Sequence, residues 1–224
     1  MATDPLSTVL ARIREAQLTG AFTVDLSDNG LADLPEAVGG LAQVVALTVV
    51  GTRLTKLPET LGSLALLKTL LLARNQLTKL PKSIGQLQQL EILDLSNNRI
   101  TGLPKSLGQL TRLHTLNLSH NQLASLPVSL GQLSQLRVLN LSNNRLVELP
   151  ESLRQLKSLT SLLLDGNPEL GLSDESLGRD QPLAMLEYYF KMRGGDKRPL
   201  NEAKLTLVGR GGVGKTSIVK STGS

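Results

Sequence analysis

Leucine and proline recur along this chain with one fixed period. The dipeptide Leu-Pro occurs six times at intervals of 23 residues, with its proline at Pro35, Pro58, Pro81, Pro104, Pro127 and Pro150. The unit, read from "LTRLHTLNLSHNQLASLPVSLGQ", has the pattern L-x-x-L-x-x-L-x-L-S-x-N-x-L-x-x-L-P-x-x-L-G-Q. A single unit of this length cannot bury its own leucines, so successive units must stack and share one core.

Alternation inside the unit predicts one short strand per repeat. In "LHTLNLS", the leucines alternate with Thr115, Asn117 and Ser119, so the leucines face the core and these three side chains face outward. One asparagine follows each strand, where a buried amide can bond the backbone of neighbouring coils: Asn29, Asn75, Asn98, Asn121, Asn144 and Asn167. Thr52 replaces this asparagine in the second coil, where we expect a slightly irregular turn.

The unit resembles the leucine-rich repeat family, in its variety of 23 residues with the Leu-Pro pair. The resemblance covers residues 21–170 in about seven coils. It implies an α/β fold: a solenoid with a curved parallel β-sheet on its concave face and irregular, 3₁₀ or helical segments on its convex side.

Helical caps are expected at both ends of the array. Residues 1–20 predict an N-terminal capping helix, because Asp4 and Pro5 form a helix-start pair before apolar residues at helical spacing. Residues 171–198 predict a C-terminal cap helix and a linker. In that cap, "LAMLEYYFKM" places Leu183, Leu186, Tyr189 and Phe190 on one side of a helix.

A different pattern begins after the linker, in "LTLVGRGGVGKTSIVK". It contains G-x-x-x-x-G-K-T at Gly209, Gly214, Lys215 and Thr216, between an apolar strand pattern and a helix start. Glycines leave the backbone N–H groups free to converge on phosphate oxygens, and the helix N-terminus favours an anion. Lys215 would contact the β- and γ-phosphates, and the Thr216 hydroxyl would bind Mg²⁺.

Repeats followed by "RPLNEAKLTLVGRGGVGKTSIV" resemble the Roco family, in which leucine-rich repeats precede a Ras-like GTPase domain called Roc. The resemblance implies that residues 199–224 begin a Roc domain that is truncated here. It also implies GTP or GDP and Mg²⁺ as ligands, with Thr216 as the metal ligand, and a homodimeric parent protein that hydrolyses GTP. The implied nucleotide-binding residues are Gly209, Gly211, Gly212, Val213, Gly214, Lys215, Thr216 and Ser217.

The alternative is a repeat adaptor fused to a STAND-type ATPase, a class that also uses "GGVGKT". Domain order speaks against it, because those proteins place their leucine-rich repeats after the nucleotide domain. The chain contains neither an acidic Walker B strand nor an N-K-x-D motif, so we expect residues 1–224 alone to bind no nucleotide and to hydrolyse none.

Charge and composition narrow the classes of partner. The net charge is +5, but residues 1–190 hold 16 Lys and Arg against 17 Asp and Glu, while residues 191–224 hold 8 against 2. The basic excess therefore belongs to the phosphate cradle, and we expect no nucleic-acid partner. With no cysteine, no signal-peptide pattern and no uncharged run of about 18 residues, we expect a cytoplasmic protein without a membrane partner.

The predicted concave face offers one candidate contact site. Val50, Leu71 and Ile92 are apolar at outward positions that are usually polar in the later coils. An apolar group on a concave sheet is a plausible contact surface. We therefore expect these residues to bind a protein partner, or the Roc and COR domains of the same protein.

Overall fold

The computed structural model describes residues 4–27, 30–172 and 181–193. Helix α1 spans Pro5–Thr19 and helix α2 spans Pro182–Arg193. Between them lie the strands β1 (Thr23–Asp25), β2 (Ala46–Thr48), β3 (Thr69–Leu71), β4 (Ile92–Asp94), β5 (Thr115–Asn117), β6 (Val138–Asn140) and β7 (Ser161–Leu163).

The strands form one parallel sheet in the order in which they occur along the chain. Each strand pairs with the next in the register of the repeat: Val24 lies opposite Leu47, and Leu47 lies opposite Leu70. The central residue of every strand is buried, and its two neighbours are partly or fully exposed. The predicted solenoid is thereby confirmed, with its parallel sheet, 3₁₀ segments and helical ends.

The core is a column of aliphatic side chains that runs through all the coils. Leu70, Leu93, Leu116 and Leu139 occupy one repeat position and are fully buried. Each such leucine packs against its counterparts in the coils above and below, so the hydrophobic stabilisation is shared between neighbours. A chain almost without aromatics can fill this core because stacked leucines interlock at each layer.

Short 3₁₀ segments form the opposite side, and six of those in the described chain directly follow a Leu-Pro pair, whereas the last, Pro168–Leu170, follows Asn167. One of them, Val128–Gln132, starts after Pro127, whose φ of −69° is the value that proline fixes. A glycine in each segment from the first to the fifth allows the next coil to come close. A Cβ atom on Gly62 would lie 2.6 Å from the carbonyl oxygen of Ser83.

The asparagines form the predicted ladder. Asn98 donates from Nδ2 to the carbonyl oxygen of Leu72 in the preceding coil, at 3.0 Å, and to Leu95 in its own coil. Its Oδ1 accepts from the N–H of Leu77, also in the preceding coil, at 3.0 Å. Asn75, Asn121, Asn144 and Asn167 repeat this arrangement. Asn29 lies outside the described residues.

Thr52 and Ser119 lie at the turn that follows their strands. Thr52, in place of the asparagine, donates its hydroxyl hydrogen to Oδ1 of Asn75, and Asn75 still bonds Val49 of that coil. The ladder therefore continues across the threonine. The expectation that Ser119 faces outward is wrong: Ser119 is buried, and its hydroxyl donates to Oδ1 of Asn117 at 2.9 Å, because the chain already turns there.

The two helices cover the first and last coils. Asp4 caps α1 by accepting from the N–H of Ser7 at 3.1 Å, and Gly20 ends the helix in the left-handed conformation. In α2, Leu186 and Tyr189 are buried as predicted, while Leu183 and Phe190 are half-buried. Met185 is also buried, although the sequence pattern did not single it out.

Neither α1 nor α2 is long and apolar enough to span a membrane.

Candidate functional site

The concave face is built from the outward positions of the strands. Two rows of side chains leave the sheet on either side of the buried central residues, which are leucines in every strand except β1, where Val24 takes this place. The first row contains Thr23, Ala46, Thr69, Ile92, Thr115, Val138 and Ser161. The second row contains Asp25, Thr48, Leu71, Asp94, Asn117, Asn140 and Leu163. The parallel register fixes these rows, since residues 23 positions apart lie opposite one another.

Val50, Leu71 and Ile92 lie in a diagonal line across this face, which we call the apolar diagonal. Leu71 pairs with Thr48, and Thr48 is two residues before Val50 in the chain. Ile92 pairs with Thr69, and Thr69 is two residues before Leu71. Each member of the diagonal is therefore shifted by two residues from the previous one. Neighbouring strands lie about 4.8 Å apart, and diagonal neighbours on one face are within reach of large side chains. Val50 and Leu71 are half-buried, and Ile92 is exposed.

The later coils are mostly polar at two of the equivalent positions. Asp94, Asn117, Asn140 and then the apolar Leu163 follow Leu71 in its row, and Ala73, Ser96, Ser119 and Ser142 follow Val50. Each of the three serine N–H groups bonds the side chain two residues earlier, as Ser142 does with Asn140 at 3.0 Å. In the later coils, the polar side chains Asp94, Asn117 and Asn140 thus accept hydrogen bonds from the backbone of their own coil. The apolar side chains of the diagonal form no hydrogen bonds and are open to contact.

A second feature lies beside the diagonal, where the strands end and the chain turns. We call this the strand-exit edge. It comprises the residues directly before and after the ladder asparagine. It carries exposed guanidinium groups in alternate coils at Arg53, Arg99 and Arg145, with Arg74 one coil after Arg53. Arg74 has a φ of 58°, so its backbone is in the left-handed region at the tight turn.

The whole central array is basic. Residues 51–147 hold 11 Lys and Arg against 3 Asp and Glu, a balance of +8. Residues 1–50 hold 2 against 6, a balance of −4, and residues 148–193 hold 5 against 8, a balance of −3. A single charge count over residues 1–190 does not show this segregation, because the positive charge of the middle coils and the negative charge of the two ends cancel almost completely.

The three acidic residues of this basic block are held by local partners. Glu59 accepts from the N–H of Ser83 at 2.9 Å, and this backbone hydrogen bond holds the pKa of the carboxyl below its usual value. Glu91 pairs with Lys68 at 3.1 Å. Asp94 accepts from the N–H of Ser96 at 2.9 Å. Within the described residues, the structure shows no ion pair for Arg53, Arg74 or Arg99.

The predicted nucleotide cradle, from Gly209 to Ser217, lies outside the described residues, as does the metal ligand Thr216. Where the structure describes the chain, no group of three or more His, Asp or Glu side chains is placed to hold a metal ion. His120 is exposed, and its Nε2 atom lies 3.3 Å from Nδ2 of Asn143.

Comparison with known proteins agrees with the repeat. A leucine-rich repeat family model matches residues 65–123 and 111–168. No curated protein sequence matches the chain.

Solved structures with the same fold come from several sources. A leucine-rich repeat protein of Leptospira interrogans is 38% identical with a TM-score of 0.60, over 62% of this chain and 36% of that one. The leucine-rich repeat domain of the type III effector XopL is 30% identical, with a TM-score of 0.66, and the match covers 74% of this chain and 59% of that one.

The leucine-rich repeat ectodomain of the Arabidopsis thaliana receptor kinase GASSHO1, in complex with Casparian Strip Integrity Factor 2, is 34% identical, with a TM-score of 0.61. The match covers 67% of this chain and 19% of that one. The chain thus spans between about a fifth and three fifths of these three proteins. Sequence period, ladder, sheet and matches agree that the coils form a leucine-rich repeat domain.

Proposed function

We propose that this chain is a protein-recognition module that binds its partner through the apolar diagonal on the concave face. The observation that carries the proposal is the grouping of Val50, Leu71 and Ile92 in three adjacent coils. In the two rows of the last three strands only Val138 and Leu163 are apolar, and polar side chains such as Asn140 are bonded to their own backbone. Burying such a group against a partner removes apolar area from water without breaking hydrogen bonds of the solenoid.

The similar structures support recognition by a repeat surface. One is a leucine-rich repeat ectodomain in complex with Casparian Strip Integrity Factor 2. The curvature of a solenoid also presents several coils at once to one partner, so a small contribution from each coil adds up.

Two matched substitutions test this proposal. Leu71→Asp places a charge in the diagonal, and Val128→Asp makes the same change at a convex position that is 71% exposed. Proteins that co-purify with the wild-type chain from its host should be retained by Val128→Asp and depleted by Leu71→Asp. Both variants should keep the wild-type circular dichroism spectrum. Equal retention by Leu71→Asp would remove the concave diagonal as the site.

A second function is supported by the G-x-x-x-x-G-K-T pattern. We propose that Gly209–Ser217 binds GTP or GDP, with Mg²⁺ on Thr216, and that the repeats regulate this GTPase in a Roco-type protein. In that proposal the parent protein is a cytoplasmic homodimer, and its Roc and COR domains are candidate partners of the concave face. The supporting observation is the order of glycines, lysine and threonine between a strand pattern and a helix start.

Nucleotide competition tests the second function. Fluorescent GDP should bind a chain extended through one GTPase domain, GTP should displace it better than ATP, and Lys215→Ala should abolish binding. Better displacement by ATP would favour the STAND-type alternative and exclude the Roco assignment.

A further inference from the structure

The guanidinium groups on the strand-exit edge are placed to act together. Arg53 and Arg99 occupy the same repeat position two coils apart, so their backbones lie about 10 Å apart along the stack, at about 4.8 Å per strand. Arg74 belongs to the coil between them. All three are exposed, and within the described residues no carboxylate is paired with them.

The same three coils carry the apolar diagonal. Val50 and Arg53 belong to the second coil, Leu71 and Arg74 to the third, and the fourth contributes Ile92 and Arg99. A segment that lies along these coils would therefore contact apolar side chains on the concave face and guanidinium groups at its border.

Charge makes this surface selective. The block from residue 51 to residue 147 has a balance of +8 with its three carboxylates counted, and only one of these, Asp94 opposite Leu71, lies on the concave face, where it accepts from the N–H of Ser96. The acidic ends of the array confine the positive potential to the middle coils. Arginine suits this task because its planar guanidinium binds a carboxylate through two parallel hydrogen bonds and remains charged at any physiological pH.

We propose that the strand-exit edge and the apolar diagonal form one binding surface for an acidic protein segment with apolar side chains among its carboxylates. This inference rests on the proposed recognition function and names the chemistry of the partner. The apolar side chains supply buried area, and the carboxylates select the partner and speed its encounter with the surface. The apolar centre favours a protein over a single-stranded nucleic acid, whose bases usually stack on aromatic side chains, and these three coils contain no Phe, Tyr or Trp.

The test uses a short fluorescein-labelled peptide in which two leucines lie between glutamates, and fluorescence anisotropy as the readout. The variant Arg53→Glu/Arg99→Glu reverses two charges on the edge. The matched control Lys105→Glu/Arg137→Glu makes the same charge change within the basic block, at exposed positions away from that edge. All four positions are exposed, so all variants should fold and unfold like the wild type.

The proposal expects the peptide to bind the wild type and the control. The edge variant should lose at least about tenfold in affinity, and binding should weaken as salt screens the charges. A peptide with lysine in place of glutamate should not bind. Equal binding by the edge and control variants would overturn the proposal, and so would binding of single-stranded RNA as tight as that of the peptide.

A failure of this inference can be distinguished from a failure of the proposed recognition function. If Leu71→Asp depletes co-purified proteins while Arg53→Glu/Arg99→Glu retains them all, the concave face recognises proteins and only the acidic chemistry is wrong. If Leu71→Asp retains them too, the recognition function itself fails.

Discussion

At the scale of single residues, the ladder asparagine is the most constrained polar group. Asn121 donates to the carbonyl oxygens of Leu95 and Leu118 and accepts from the N–H of Ile100, with all atoms buried. These backbone groups lie where the sheet ends and have no strand partner at the turn. One amide therefore satisfies several buried groups, because it has two donors and one acceptor.

Replacement of Asn121 by alanine should leave the buried Ile100 N–H without its partner, whereas the Leu95 carbonyl oxygen keeps the hydrogen bond from Asn98. An unsatisfied buried group costs about 1–3 kcal/mol, so we expect Asn121→Ala to lower the free energy of unfolding by at least that much. The control is Gln122→Ala, the next residue, which is half-exposed. Urea titration measures both. A loss for Asn121→Ala no larger than for the control would mean that water replaces the amide.

The sequence predicted this residue well because its function is local and repeated. It failed for Ser119, since alternation describes a strand and the chain has already begun to turn at that position. Left-handed backbone at Arg74, Asn97, His120 and Asn143 was also missed. Glycine, the residue that usually indicates a left-handed backbone, occupies this position in two other coils, at Gly51 and Gly166. Those four coils have no glycine at this position and give no such indication in their sequence.

At the scale of elements, the contact between successive 3₁₀ segments explains the glycine of each repeat. A Cβ atom on Gly131 would lie 2.7 Å from Cβ of Ser152 in the next coil. Arg154 stands at the equivalent position of the following segment, 23 residues later, where no further 3₁₀ segment of five residues is stacked in the described part of the chain. Its guanidinium carbon instead lies 6.0 Å from the ring centre of Phe190 in α2. The change from glycine to arginine occurs in the sixth coil, where α2 takes the place of a further 3₁₀ segment.

We expect Gly131→Ala to destabilise the solenoid by about 1–3 kcal/mol, the usual cost of overpacking. Gly102→Ala is the control, because nothing lies within 4 Å of a Cβ atom there and the backbone is not in the left-handed region. That substitution should be neutral or slightly stabilising. Thermal unfolding distinguishes them. Equal melting temperatures would show that the coils separate without cost.

The C-terminal helix is fixed by one buried hydrogen bond as well as by packing. The Tyr189 hydroxyl accepts from the N–H of Leu149 at 3.1 Å, and Arg193 lies 5.5 Å from the ring centre of Tyr189. The sequence placed Tyr189 on the buried face but could not show which backbone group it meets, because that partner is 40 residues away.

Tyr189→Phe should keep the packing and leave the Leu149 N–H without a partner. We expect a loss of about 1–3 kcal/mol in stability and faster amide exchange confined to the last coils, since solenoid units depend on their neighbours. Tyr188→Phe, on the half-buried side of the same helix, should change neither. Faster exchange spread through all coils would contradict this local role.

At the scale of the whole molecule, period and patterning predicted the architecture because every coil repeats the same solution. The register of seven strands follows directly from the constant spacing of 23 residues. The binding surface is less predictable. Val50, Leu71 and Ile92 are visible as departures from the repeat, but the basic middle is hidden by acidic ends that bring the balance of residues 1–193 to +1. The period of 23 residues already places arginines 46 residues apart on one edge, and the structure adds that their side chains are exposed.

The central claim is that the concave face contacts a protein partner, and site-specific photocrosslinking tests it most directly. The photoreactive amino acid p-benzoylphenylalanine would replace Leu71 in one variant and Val128, on the convex side, in another. The account predicts a discrete crosslinked product at position 71 after irradiation in the host cell and none at position 128. Equal products at both positions, or none at position 71, would contradict it.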